Sequence, residues 1–135
     1  MNYKKKIFHV ENISTEKLSK KFKTPLYCYS YLKLKNNIKN FKKYFKKINP
    51  LICFSVKSNS NVRILKEINN LGLGADVVSK GEMMKALKSG IKSQKIVFSG
   101  VGKTYEELEY AINKNILLIN VESKSELLVL EKIAK

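Results

Sequence analysis

Four short runs rich in β-branched or aromatic residues recur in the second part of the chain, separated by longer amphipathic stretches. These runs are Leu51–Val56, Ala75–Val78, Ile96–Phe98 and Leu117–Val121. Largely apolar runs of this length are typical of buried β-strands. The pattern therefore predicts four strands, although no strict sequence repeat accompanies them.

A helical pattern follows each predicted strand. After the first run, apolar residues recur at helical spacing from Val62 to Leu71, and Gly72 and Gly74 are predicted to end this helix. Each of the other three runs precedes a Ser/Thr-x-x-Glu sequence, the signature of a helix capping box. These boxes are Ser79–Glu82, Thr104–Glu107 and Ser123–Glu126. Strand and helix alternating four times predict parallel strands joined by right-handed crossovers, so the expected fold class is α/β.

Residues 1–50 show a different pattern. A helix is predicted from Ser14 to Phe22, and a short strand over Thr24–Tyr29. An amphipathic helix is predicted from Ser30 to about Lys47, and it would cover an edge or a face of the sheet.

The charge of the chain is strongly positive. Its 135 residues, enough for one compact domain, include 27 basic and 11 acidic residues, a net charge of +16 that would suit a nucleic-acid binder. Only Arg63 is an arginine, however, whereas proteins that read bases or phosphates favour the bidentate guanidinium. Specific nucleic-acid binding is therefore not expected. A basic module that binds nucleic acid or another anion is the alternative function of a different class.

The apolar runs are too short for a membrane span, which needs about 18 to 20 residues. No apolar segment follows the basic residues of the N-terminus, so a secretory signal is not expected. Cys28 and Cys53 lie among large apolar residues, and we expect reduced thiols packed in the core. We therefore expect a cytoplasmic protein with no membrane partner, and we predict no metal site.

Polar side chains lie at the ends of the predicted strands. In parallel α/β folds the reactive groups collect at the carboxyl ends of the strands. Lys57 closes the first run and Asp76 lies in the second, while Ser99 and Asn120 belong to the ends of the third and fourth. Partial burial of the Lys57 amine would favour its neutral, nucleophilic form. On position alone, however, a solvated lysine and an ordinary turn aspartate account for Lys57 and Asp76.

Five segments, in this order, resemble successive motifs of the diaminopimelate decarboxylases. They are TPLYCY (24–29), ICFSVKSNSN (52–61), GLGADVVSKGE (72–82), KIVFSGVGKT (95–104) and INVES (119–123). The resemblance implies a pyridoxal 5'-phosphate enzyme with an alanine racemase-like (β/α)8 barrel of the TIM type. It further implies decarboxylation of meso-2,6-diaminopimelate to L-lysine by a homodimer.

The resemblance also implies roles for individual residues. Lys57 matches the lysine that holds pyridoxal phosphate as a Schiff base, and Asp76 matches an aspartate that lies near this lysine and steers it. Glu82 also matches a family glutamate, but its place in a capping box is the preferred interpretation. Ser55 and Ser58 stand where the family usually has alanine, and Lys80 stands where glycine is common.

Members of this family are considerably longer than the present chain. The resemblance therefore implies that residues 24–135 form the first half of the barrel, about four strand–helix units, after a lead-in of residues 1–23. The second half of the barrel and a C-terminal β-domain would be absent, and the chain alone would be inactive. An ornithine or arginine decarboxylase, or a racemase with the same barrel, remains the alternative within the family's fold.

Overall fold

The computed structural model describes residues 2–4 and 6–135. Contacts within it divide the chain into two compact units, residues 1–49 and 50–135. The boundary after residue 23, which the sequence suggests, stays a prediction.

The first unit begins with a small antiparallel sheet in the order β1-β2-β3. Its strands are β1 (Asn2–Lys4), β2 (Ile7–Val10) and β3 (Ile13–Ser14). Lys6 and Glu11 have positive φ angles, 66° and 58°, at the two turns. The sequence analysis did not predict this sheet.

Two helices complete the first unit, α1 (Thr15–Phe22) and α2 (Tyr31–Tyr44). Both confirm the sequence prediction, although α2 ends three residues earlier than expected. The predicted strand over Thr24–Tyr29 is wrong, because this segment pairs with no strand among the described residues. Pro25 has no N–H to donate to a ladder, which disfavours pairing here.

The second unit contains a parallel sheet in the order β4-β5-β6-β7. Its strands are β4 (Cys53–Ser55), β5 (Gly74–Val77), β6 (Ile96–Phe98) and β7 (Leu118–Ile119). All four predicted strands are confirmed, although β4 and β7 are shorter than the apolar runs that contain them and β5 begins one residue before its run. The register pairs Ser55 with Asp76, Asp76 with Val97, and Val97 with Leu118, so partners always lie 21 positions apart.

A helix follows each of these strands, as predicted. The helices are α3 (Val62–Asn70), α4 (Lys80–Lys88), α5 (Tyr105–Asn113) and α6 (Lys124–Ala134), and each contacts the next. Because side chains alternate between the faces of a strand, the paired residues Ala75 and Ile96, and Val77 and Phe98, lie on one face, where all four are fully buried. Asp76 and Val97 lie on the other face, which carries the polar groups. The parallel α/β class is thereby confirmed.

Each α-helix of the described chain begins with a capping side chain that accepts a hydrogen bond from the first helical turn. These N-caps are Ser14, Ser30, Asn61, Ser79, Thr104 and Ser123. Only Thr104–Glu107 forms the complete reciprocal box that the sequence predicted three times. Glu82 instead accepts from the Val78 N–H, and Glu126 accepts from Lys103.

Gly72 and Gly74 have different roles, which corrects the prediction that both end α3. Gly72 follows α3 with a φ of 78°, a conformation that favours glycine. Gly74 is the first residue of β5. A Cβ on Gly74 would lie 2.2 Å from the backbone oxygen of Lys95 and 2.9 Å from Cys53 Sγ. The close packing of β5 therefore leaves no room for a side chain.

The Glu107 carboxylate connects the starts of α4 and α5. Its Oε1 accepts from the Lys80 N–H at 3.0 Å, and its Oε2 accepts from the Thr104 N–H at 3.1 Å. The Lys80 hydrogen bond, with help from Thr104, lowers the pKa of Glu107 despite partial burial of the carboxyl. The ionised carboxylate therefore stabilises this pair of helix starts.

We predict that Gly74→Ala lowers the free energy of unfolding of the 135-residue chain by about 1–3 kcal/mol, because the backbone oxygen of Lys95 must move. Urea unfolding measures this change. Gly81→Ala is the matched control, since its Cβ would meet nothing closer than 3.9 Å and alanine favours the α4 helix. Equal stability of the two variants would contradict this account of β5.

Acid should weaken the contribution of Glu107 to the free energy of unfolding. Because its folded pKa is lowered, the stabilisation is complete above the ordinary glutamate value of about 4.3 and is lost as the pH falls through the folded value. Glu107→Gln should cost about 0.5–1 kcal/mol at neutral pH and make stability less dependent on pH in the acid range. Urea unfolding at several pH values tests this. Glu109→Gln on the same helix should leave the pH profile unchanged.

Candidate active site

A hydrogen-bonded network crosses the sheet at the carboxyl ends of its four strands. Asp76 Oδ1 accepts from the Ser99 hydroxyl at 2.6 Å, and its Oδ2 accepts from the Ser55 hydroxyl at 3.3 Å. Ser99 Oγ in turn accepts from the Asn120 side-chain amide at 2.9 Å. The parallel register produces this arrangement, because it places the strand ends side by side. A carboxylate is therefore held in a fixed orientation at this edge.

Lys57 lies at the same edge, within a 3-10 turn over Val56–Ser58 that directly follows β4 and contacts β5. Its side chain is exposed, whereas the preceding Val56 is fully buried and anchors the turn. The partial burial that the sequence suggested for Lys57 is thus not seen in this chain. Within residues 2–4 and 6–135, the ammonium has no hydrogen-bond or ion-pair partner.

Lys103 is the second lysine at this edge, and its ammonium is fully engaged. It donates to the carbonyl oxygens of Gly100 and Asn120, both at 2.7 Å, and to Glu126 Oε1 at 2.8 Å. The side chains of Lys103 and Glu126 are only 1% and 6% exposed. Removing one partner of such a pair costs about 3–5 kcal/mol, because the other charge stays buried. The sequence analysis missed this pair, although a lysine within a Gly-x-Gly-Lys turn after a strand was a visible signal.

Three other residues that the sequence singled out, Ser79, Glu82 and Lys80, stabilise the starts of helices. Ser79 caps α4, and Glu82 closes the turn before that helix. Lys80 bonds to Glu106 across the helix starts, and this hydrogen bond raises the pKa of Lys80.

Both cysteines are free and half-buried. Cys53 lies on the same face of the sheet as Ser55, with its Sγ against Gly74. Burial, and secondarily the charge of Asp76, raises the pKa of the Cys53 thiol. The thiol is thus poorly suited to act as a nucleophile.

The described part of the chain contains neither a cluster of metal ligands nor a transmembrane helix. No group of three histidine, cysteine, aspartate or glutamate side chains there could hold a metal ion. No helix over those residues is long and apolar enough to cross a bilayer.

A family model described as "Pyridoxal-dependent decarboxylase, pyridoxal binding domain" matches residues 32–135. A diaminopimelate decarboxylase from Helicobacter pylori strain J99 is 52% identical over 120 residues, which are 89% of this chain and 30% of the relative. The crystal structure of diaminopimelate decarboxylase from M. jannaschii in co-complex with L-lysine is 36% identical, with a TM-score of 0.95 over 98% of this chain and 32% of that one. Ornithine decarboxylase from Entamoeba histolytica is 28% identical, with a TM-score of 0.62 over 74% of this chain and 30% of that one. This chain therefore spans less than a third of the length of the relatives it matches.

The Asp76 network should contribute measurably to stability. We predict that Ser99→Ala lowers the free energy of unfolding by about 1–2 kcal/mol, because the Asp76 carboxylate loses its shortest hydrogen bond and the Asn120 amide loses its acceptor. Urea unfolding of the 135-residue chain measures the effect. The control is Ser58→Ala at the same edge, whose exposed hydroxyl donates only to the Ser55 carbonyl, at 2.7 Å, so that its loss should cost about 0.5 kcal/mol, clearly less than that of Ser99. A Ser99→Ala variant as stable as the control would show that the network carries no energy.

Proposed function

Since the chain belongs to the pyridoxal-dependent decarboxylases, we propose that it takes part in the decarboxylation of meso-2,6-diaminopimelate to L-lysine. The observation that carries the proposal is the position of Lys57 in the turn after β4, at the same edge of the parallel sheet as the hydrogen-bonded Asp76 carboxylate. The identity of 52% to a diaminopimelate decarboxylase supports the same substrate. Because the chain spans about 30% of that relative, the activity is proposed for the whole protein that includes this segment.

The residues at this edge fit pyridoxal phosphate. Covalent attachment of its aldehyde needs a primary amine that can become neutral and that is not committed to other partners. Lys103 is excluded, because three oxygens accept from its three N–H groups, and Lys80 is held by Glu106. Lys57, which matches the lysine of the family motif, is therefore the residue that we propose would hold the cofactor.

When bound, pyridoxal phosphate supplies the electron sink for the bond that breaks when carbon dioxide leaves. The contribution of this chain is to place the groups around it. Lys57 would provide the covalent anchor, and the Asp76 carboxylate would orient the lysine amine and favour positive charge on a nitrogen close to it. The Ser55 and Ser99 hydroxyls donate to the two oxygens of Asp76 and so limit the rotation of the carboxylate.

The proposal extends to partners and location. Its substrate is a small amino acid, in line with the L-lysine complex of the M. jannaschii enzyme. We further propose a homodimer and a cytoplasmic reaction, the latter supported by two thiols that remain free. We also propose that the 135-residue chain alone has no decarboxylase activity, because it spans only about 30% of the length of the diaminopimelate decarboxylase that it matches.

Ornithine, arginine and racemase chemistry are the alternatives on the same fold. The likeness to the ornithine decarboxylase of Entamoeba histolytica is lower, at 28% identity. The whole protein that includes this segment should be assayed with meso-diaminopimelate, ornithine and arginine in turn. Carbon dioxide release and racemisation should be measured separately for each substrate. Carbon dioxide release from ornithine in preference to diaminopimelate would reject the proposed substrate.

The role of Lys57 can be tested in a fusion in which this chain replaces the matching segment of the Helicobacter pylori relative. Borohydride reduction in the presence of pyridoxal phosphate should attach the cofactor to Lys57 alone, because correct placement is required in addition to an amine. Peptide mass spectrometry locates the attachment. Lys57→Ala should lower carbon dioxide release by about three orders of magnitude or more while the fusion remains folded.

Lys85→Ala is the matched control. The Lys85 ammonium donates to the hydroxyl of Ser60, which lies three residues after Lys57 in the sequence, and Lys85 has no proposed part in the reaction. It should keep both labelling and turnover. Labelling spread evenly over many lysines, or full activity of Lys57→Ala, would reject the assignment.

A further inference from the structure

The buried ion pair between Lys103 and Glu126 has no part in the chemistry proposed above, yet it lies against the site. All three N–H groups of the Lys103 ammonium have acceptors, namely Glu126 Oε1, the Gly100 carbonyl and the Asn120 carbonyl. The ammonium also lies 5.5 Å from the centre of the Phe98 ring, a cation–π distance. The pair therefore connects the end of β6, the end of β7 and the first turn of α6.

Stability alone is a weak explanation for such a pair. Desolvating two charges offsets most of their attraction, and well-packed apolar residues often serve as well or better. The geometry of the hydrogen bonds indicates what the pair does in addition. Within the described residues, no buried side-chain nitrogen or oxygen lacks a partner, so this network is complete and its members have defined positions.

Asn120 makes three hydrogen bonds, and the first joins its N–H to the Phe98 carbonyl at 2.9 Å, beside the end of β6. Its backbone carbonyl accepts from Lys103 at 2.7 Å, and its side-chain amide donates to Ser99 Oγ at 2.9 Å. The Ser99 hydroxyl then donates to Asp76 Oδ1 at 2.6 Å. A continuous path of hydrogen bonds thus runs from Lys103 through Asn120 and Ser99 to the Asp76 carboxylate.

We propose that Lys103 is a positioning residue that fixes Asn120 after β7 and, through Asn120 and Ser99, sets the orientation of the Asp76 carboxylate. Glu126 has a different part, since it neutralises the buried ammonium without touching Asn120. The consequence for Lys57 rests on the proposed function, whereas the fixing of Asn120 is a property of the chain itself.

The two parts can be separated with a crossed pair of variants of the 135-residue chain. Glu126→Gln removes the charge but keeps an acceptor for Lys103, so it should lower the urea midpoint while leaving Asn120 held. The double variant Lys103→Met/Glu126→Met leaves no charge buried, so its urea midpoint should recover, while the Asn120 carbonyl loses its donor. The readout is solvent exchange of the Asn120 side-chain amide protons by NMR, assigned with Asn120→Asp.

We expect this exchange to be unchanged in Glu126→Gln and about tenfold faster in the double variant, the factor that corresponds to a hydrogen bond to a charged group. Lys80→Met, which removes the exposed lysine–glutamate pair at the neighbouring helix starts, is the control and should leave the exchange unchanged. Unchanged exchange in a stable double variant would overturn the proposal.

A second measurement needs no substitution. In the unsubstituted chain, the Lys103 ammonium protons should exchange with solvent at least about tenfold more slowly than those of Lys57, because all three are bonded and buried. Equal rates would also overturn the proposal.

The link to function is measured in the fusion described above, as the rate of borohydride labelling at Lys57. The double variant should slow this labelling several-fold, as should Asp76→Asn, whereas Lys80→Met should not. If the unsubstituted fusion is not labelled at Lys57 while Asn120 responds as expected, the proposed function fails and the positioning stands. If Lys57 is labelled at the normal rate in the double variant, the positioning of Asp76 by Lys103 is rejected and the proposed function stands.

Discussion

The constant register of the parallel sheet is the constraint on which the second unit depends. Each strand pairs with the segment 21 residues further along the chain, three times in succession. A fixed offset aligns the alternation of side chains in all four strands, since a slip of one residue would reverse the two faces. Ser55, Asp76, Ser99 and Asn120 reach one another only because this alignment holds at the carboxyl ends.

The same register places apolar side chains on one face of the sheet and the polar side chains of the Asp76 network on the other. Ala75, Val77, Ile96 and Phe98 are buried and supply hydrophobic stabilisation. The opposite face carries Asp76 and its partners together with residues that are open to solvent, such as Leu118, which is 50% exposed. The hydrophobic core and the Asp76 hydrogen-bond network therefore use alternate residues of the same short strands.

The sequence was sufficient for those elements whose signals are local. Each strand of the parallel sheet is a short apolar run, and each helix after it begins at a side chain that can cap it, as Ser79, Thr104 and Ser123 do. The antiparallel strands of residues 2–14 were missed, because strands of two to four residues carry little periodicity. The strand expected over Thr24–Tyr29 failed for the converse reason, since strand-forming residues make a strand only where a partner is available.

The candidate site likewise contains residues that the sequence identified and residues that only the structure revealed. The resemblance to known motifs singled out Lys57 and Asp76, which the fold places at one edge of the sheet. Glu126 was interpreted as part of a capping box, and its bond to Lys103 depends on the placement of a loop 23 residues away, which local sequence does not encode.

Equal spacing of the strands also has a consequence for how the sheet is made. Each pairing closes a loop of the same length, so the chain-entropy cost of adding a strand is nearly the same at every step. During synthesis, β5 emerges 21 residues after β4, and β6 emerges 21 residues after β5. The sheet can therefore grow in one direction as the ribosome delivers it, with each new strand finding its template already in place.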